Sequence, residues 1–532
     1  MPRSSFLEVC DSLELLLDAG QPLGVQESIR SGFRLLRSRA DALRLAGLCQ
    51  RIPIMLSDDL EWIHFLARLA YRAGMVSWCA TLSAVHPGVL LALDAWVLAE
   101  NGRHLQALEL ANLVIDNLGS IDTDVAWRVR ARAMAQLGDP NWRSTFYESL
   151  KHLEGRMRGL SLLEFGFFLT GINDQAASRS AYAEASGLLS DDPMFAALTQ
   201  FNIGMACVHL SDLEAAKKAF EATMRLTLLE PDQRFLSGAW CGLGAVRRAR
   251  REYPRALHAY SMALQKAVDP VDRIEAGRGM ALTKRLIGDV DGALQALFEA
   301  LQFVNGSSHG LFADLGAAKI QNGDLVGALQ AMTNVPEGFE EDTQRKQIVQ
   351  AEALRRSNDL EAARKMLSNI DASRQWFADE AICFSELFAL HGVRIQDEPM
   401  RIRLNANGPI RAWVNDDPLD IDATSLLASL LALLVHEPAG VSFERCVTEF
   451  LKVPGATDKA KQKSLERAIE GLRLMLGWPA SVRRANGMLR LDQNRLVTWL
   501  PLEVPDAKRS ESFCAGRFDP WVLEWRDEHR AW

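Results

Sequence analysis

Apolar residues recur three to four apart along most of the 532-residue chain, a spacing that predicts helices. The first fifty residues already show it, in FLEVCDSLELLLDAG and IRSGFRLLRSRADALRLAGLCQRI. Near residues 391–400, HGVRIQDEPM, the period changes and a boundary close to Gln396 is expected. The following RIRLNANGPIRAWVNDDPLDI predicts short strands broken by Asn-Gly-Pro and Asn-Asp-Asp-Pro turns. Next come an apolar helix at Ala423–His436, ended by Glu437-Pro438-Ala439-Gly440, and a second helix, SFERCVTEFL, with Ser442 as its N-cap. Pro454 and Gly455 mark a loop. In the stretch Lys459–Arg495, Leu465, Ala468, Ile469, Leu472, Met475 and Leu476 fall on one helical face, with Lys463, Arg467 and Glu470 opposite. Gly477 stops that helix, and the runs SVRR and MLRLD flank Asn486-Gly487, the pair favoured in a tight hairpin turn.

A single motif returns throughout the helical region. In WCGLGAVRRARREYPRALHAYSMA, Trp240, Leu243, Gly244, Ala256, Tyr260 and Ala263 stand at the spacing of the tetratricopeptide pattern, which the segment resembles. The preceding copy has Ile203, Gly204, Ala216 and Phe220; later copies have Ala281, Ala293 and Ala300, then Leu315, Gly316 and Ala328, then Ala351, Ala363 and Leu367. The small residue opening each second helix recurs at Ala216, Ala256, Ala293, Ala328 and Ala363, at intervals of 40, 37, 35 and 35 residues. Weaker copies lie upstream, around Phe165-Gly166 with Tyr182, at Arg130–Asp139, at Ala99–Ala111 and at His64–Gly74, and Gly-Asp turns stand at 138, 288 and 323. An α-solenoid over residues 1–395 is therefore expected, with a concave face that holds a protein or peptide. Asn202, Arg247, Arg248, Lys284 and Lys319, on the first helices of their hairpins, are the candidate partner-binding residues.

The net charge of −8 excludes a surface that is basic throughout, yet the charge is uneven. Residues 459–495 carry 9 Lys and Arg against 3 Asp and Glu, net +6, whereas everything outside Arg401–Val504 sums to −10. The 8 cysteines are scattered without CxxC or zinc spacing, so buried thiols in a reducing cytoplasm and no metal are expected. No basic segment leads into a long apolar run near the first residue, and the longest apolar stretch, Ser425–Val435, is far short of the roughly 20 residues a membrane span needs. Phosphate-loop, HExxH, GxSxG and dinucleotide motifs are all absent, which argues against an enzyme and for no cofactor. His104, His209 and His258 sit within repeats and read as turn or interface residues.

The residues after 400 resemble a known family. Arg401–Val504 is similar to the winged-helix DNA-binding domain of OmpR-type response regulators, in the version carried by SARP-like bacterial transcriptional activators. The opening sheet corresponds to IRLNANGPIRAWVNDDPLDI, the first two helices to LLALLVHEPAGVSFERCVTEF, and the recognition helix and wing to KSLERAIEGLRLMLG and VRRANGMLRLD. The tail, RFDPWVLEWRDEHRAW, resembles the helix that follows the winged helix in that family. The expected architecture is mainly α: a tetratricopeptide-like solenoid (1–395), a small α+β winged helix (396–505) and a helical tail (506–532). The resemblance implies a cytoplasmic transcriptional regulator that binds duplex DNA, compatible with a homodimer. Lys459, Lys463, Arg467, Arg473, Arg483, Arg484 and Arg490 are its candidate DNA contacts. The competing reading is a protein–protein adaptor whose winged helix no longer binds DNA. In it Lys463 pairs with Glu466, and Arg467 with Glu470, as a solvated helix face.

Overall fold

The computed structural model describes residues 3–19, 25–51, 59–117, 121–229, 233–306, 309–336, 340–370, 372, 375–395, 397–450 and 457–530. The chain is mainly helical and divides into two compact units, Met1–Leu236 and Ser237–Trp532. The expected boundary at Gln396 and the Pro454-Gly455 loop lie outside the described residues.

In the first unit helices follow one another as antiparallel hairpins, among them Gly155–Gly171 with Gln175–Leu188 and Pro193–His209 with Leu213–Thr227. In the second, Phe235–Ala249 is followed by Tyr253–Lys266, Pro270–Leu286 by Val290–Leu301, Leu311–Gln321 by Leu325–Met332, and Glu340–Arg356 by Leu360–Leu367. The repeat alanines Ala216, Ala256, Ala293, Ala328 and Ala363 are all fully buried. Small residues are required there because the paired helices nearly touch. A Cβ on Gly204 would stand 2.7 Å from the Phe220 ring, and one on Gly244 would stand 2.8 Å from the Tyr260 ring. Most of these short turns are closed by an aspartate, the turn at Glu252 before Tyr253–Lys266 being an exception. Asp289 and Asp324 of the Gly-Asp turns accept hydrogen bonds from the backbone N–H groups of Gly292 (3.0 Å) and Gly327 (2.8 Å). Asp174, Asp212 and Asp359 cap their helices in the same way, satisfying N–H groups that the first turn of a helix leaves without partners.

After residue 400 the second unit changes character. Strands β1 (Met400–Asn405), β2 (Arg411–Val414), β3 (Asp417–Pro418), β4 (Val441–Ser442), β5 (Val482–Ala485), β6 (Met488–Leu491) and β7 (Val497–Trp499) make two sheets, ordered β3-β2-β1-β7 and β4-β6-β5. β1 runs antiparallel to β2, with Ile402 opposite Val414, and parallel to β7, with Met400 opposite Val497. The helices Leu426–His436, Phe443–Phe450 and Asp458–Leu476 share one core with both sheets. Met400, Ile402 and Leu404 alternate inward from β1 onto Leu430, Leu431, Leu433 and Leu434, a helix buried on nearly every side. The tail helix Pro520–Glu528 enters the same core. Trp521 and Trp525 are buried, with the Trp525 ring 3.9 Å from that of Phe513, and Trp521 Nε1 donates to Ser429 Oγ at 3.2 Å.

The strand region is seated on the hairpins of its own unit. Arg250 pairs with Asp417 of β3, Tyr253 donates its hydroxyl to Asp397 at 2.6 Å, and Asn415 Nδ2 donates to the Arg250 carbonyl at 2.8 Å. Leu496 packs on Tyr253, Leu282 and Leu286. Beneath this contact Arg285 donates twice to Glu380, at 3.0 and 2.8 Å, with side chains only 1% and 3% exposed. Among the described residues no helix is long and apolar enough to cross a membrane.

Candidate nucleic-acid interface

The Asp458–Leu476 helix begins at Thr457, whose hydroxyl accepts from the Ala460 N–H, and ends at Gly477 in the left-handed conformation. Its apolar face, Leu465, Ala468, Ile469, Leu472 and Leu476, is buried in the core. That fixes the rotation of the helix, so Lys459, Lys463 and Arg467, four residues apart, form one exposed row. None of the three has an ion-pair partner among the described residues. The self-neutralised face expected by the competing reading is not what forms: Glu466 is engaged by Arg484 at 3.5 Å and Glu470 by Arg473 at 3.4 Å.

The hairpin follows from the sequence as expected. Asn486 (φ 52°) and Gly487 (φ 73°) both take positive φ, the requirement of a turn whose twist matches its strands. The register sets Arg483 of β5 directly opposite Arg490 of β6. Like charges so placed oppose pairing. Asp492 relieves one of them: its nearly buried carboxylate accepts from Arg483 at 2.9 Å and is itself held by Trp478 Nε1 at 3.1 Å and Asn494 Nδ2 at 2.6 Å. Arg490 is exposed and has no ion-pair partner among the described residues. Arg484 lies 3.6 Å above the Phe443 ring, which fixes its guanidinium between hairpin and helix. Neither Phe443 nor Asp492 stood out in the sequence, because both act only through cross-strand and helix-to-hairpin proximity.

Arg473 departs from its expected role. It donates through Nε and Nη2 to the Val482 carbonyl, at 3.0 and 2.9 Å, and so ties the helix to the first hairpin strand instead of joining the open row. Leu474, on the exposed side of the same helix, is 70% exposed.

The candidate partner-binding residues are mostly engaged within their own repeats. Arg248 is the clearest correction: it is packed inside, bonded to Asp379 at 3.0 Å and to the Tyr260 hydroxyl at 2.6 Å, and Arg251 holds the other oxygen of Asp379 at 2.8 Å. Arg247 donates to the Arg255 carbonyl at 3.2 Å, and Lys284 does the same to Gly292 at 3.2 Å, each eight residues on. Lys284 and Lys319 also approach the capping aspartates Asp289 and Asp324, at 3.8 and 3.7 Å. These side chains brace hairpin turns. Asn202 is half-buried on the Pro193–His209 helix of the other unit.

No protein-family model matches the chain, and no curated protein matches it. Among solved structures, one titled "Crystal structure of APC/C hetero-tetramer Cut9-Hcn1" aligns over 72% of this chain and 93% of that chain, at 14% identity and a TM-score of 0.33. A likeness at that score carries no argument about fold or partners.

Proposed function

We propose that the chain is a DNA-binding transcriptional regulator in which residues 396–505 act as an OmpR-type winged helix, completed by the tail at 506–532. In this reading the helical hairpins receive a partner protein or peptide as the signal. The observation that carries it is the row Lys459, Lys463 and Arg467, exposed and without acidic partners among the described residues, on a helix whose rotation the core fixes. Unsatisfied cations four residues apart present about one charge per 6 Å of helix, suited to a phosphate backbone in a groove wide enough for an α-helix. On the adjoining hairpin Arg490 adds an exposed cation without an ion-pair partner among the described residues, beside Arg483 and Arg484, which are each engaged by a carboxylate.

The test is binding of the full chain to a duplex of mixed sequence, with Lys463→Glu plus Arg467→Glu as the variant. The regulator reading expects binding by the parent and none by the variant. One observation favours the adaptor instead: Leu474 is exposed near Glu470 on the same helix, an apolar group that a polyanion would not cover. A parent chain indifferent to duplex DNA at low salt assigns the helix to a protein partner.

A further inference from the structure

We propose that the Met1–Leu236 unit contains a binding site for a small anion with an apolar body, a carboxylate or phosphate ester carrying an aromatic or branched group. The site is a cavity of about 620 Å³, within the range of about 300–1,000 Å³ that holds such molecules. It lies wholly in that unit and does not depend on the DNA-binding reading.

One side of the wall is aromatic. Phe33 and Phe65 stand 4.8 Å apart, and Tyr71 meets Trp96 edge-on at 4.9 Å. Another stretch is cationic, built from Arg39, Arg72 and Arg156. Among the described residues only one of these three guanidiniums has an ion-pair partner: Arg156 holds Asp192 at 2.9 Å. Arg39 spends its side chain on the Ala73 carbonyl at 3.0 Å, while its backbone N–H donates to Asp192 at 2.8 Å. Arg72 donates to the Leu36 carbonyl at 2.7 Å, and its Nε is buried with no partner. Burial, and after it the nearby charge of Arg156, pulls the Arg72 guanidinium below its ordinary value.

The other arginines of the cavity are satisfied. Arg68 is paired with Asp122 at 3.2 Å and Asp124 at 3.0 Å, and Arg128 with Glu164 at 2.7 Å. Glu61, Glu100 and Asp122 also line the cavity. An anion is therefore directed to the Arg39–Arg72–Arg156 end and repelled from these carboxylates, leaving its apolar body against the rings. A half-buried cation short of counter-charge is costly, and a ligand anion reduces that cost while supplying an acceptor for the buried Arg72 Nε–H.

The probes are two dyes differing in one group: 1-anilinonaphthalene-8-sulfonate and its uncharged counterpart N-phenyl-1-naphthylamine. Fluorescence titration of the full chain is expected to give tighter binding of the sulfonate by about 10- to 100-fold, the worth of one charged hydrogen-bonded contact. Arg72→Gln should remove most of that preference and leave the neutral dye's affinity unchanged. Displacement by 1-naphthoate assigns the natural anion to carboxylates, and displacement by 1-naphthyl phosphate to phosphates. Equal affinity of the parent chain for both dyes overturns the proposal without any variant. So does displacement by neither competitor, or a preference that survives in folded Arg72→Gln. If circular dichroism shows that Arg72→Gln does not fold, Arg39→Gln decides by the same readout.

Discussion

The DNA-binding reading makes a quantitative demand on salt dependence. Lys459, Lys463, Arg467 and Arg490 are exposed without ion-pair partners among the described residues, whereas Arg483 and Arg484 are each engaged by a carboxylate. Each phosphate neutralised by a cation contributes about −0.9 to the slope of log affinity against log salt concentration. The free cations alone therefore give a slope of about −3.6, and recruitment of the two paired arginines steepens it to about −5.4. At the shallower value, raising salt from about 50 to 200 mM weakens binding about 150-fold. Replacing Lys463 and Arg467 with Gln should flatten the slope by about 1.8 and leave helix content unchanged, because neither side chain touches the core. Fluorescence anisotropy of the full chain with a labelled duplex, repeated at several potassium chloride concentrations, measures both slopes. A parent slope shallower than about −1, or one the double substitution does not alter, refutes the assignment of this row to phosphate.

Other expectations concern how the hairpins hold together. Gly187, with open space around its Cβ position, and Gly244, with the Tyr260 ring 2.8 Å away, should respond oppositely to alanine. Gly187→Ala gains about 0.5–1 kcal/mol from reduced backbone freedom, whereas Gly244→Ala loses about 1–3 kcal/mol by overpacking; melting curves that shift in the same direction contradict the close-packing argument. Arg285→Ala strands the Glu380 carboxylate in the interior and should cost about 3 kcal/mol, the low end for a broken buried pair, since Arg345 remains 3.8 Å away. Urea unfolding measures this loss, and Arg285→Met combined with Glu380→Leu should recover most of it. Burial alone would push the Asp314 carboxyl up, but Arg278 at 2.6 Å and Arg345 at 2.8 Å outweigh it and hold the group below the usual range. The stability it contributes is thus fully present above the unfolded carboxylate value near 4 and is lost as pH falls through the lower folded value. Asp314→Asn should remove that acid-limb dependence, and an unchanged acid denaturation profile would count against it.

Much of this protein was legible in the order of its residues because two kinds of signal are local. Helical periodicity and the recurring small residues marked the hairpins, since a side chain that must let two backbones approach has to be Ala or Gly wherever the repeat places it. The Asn486-Gly487 turn, the stop at Gly477 and the buried face of the 458–476 helix were likewise set by conformational preferences within a few neighbours. What the exposed charges do was not local. Arg473 and Arg467 are indistinguishable in sequence, yet one ties down the Val482 carbonyl and the other is left with no partner among the described residues. Arg248 looked available until Asp379, far along the chain, supplied its counter-charge. The cavity with its underpaired arginines left no periodic trace, because Arg39, Arg72, Arg156 and Asp192 meet only when separate helices pack. Backbone preferences are decided by adjacent residues and can be read in order. The partner of a charge is decided by which distant groups folding brings within a few ångströms, and only the tertiary structure fixes that.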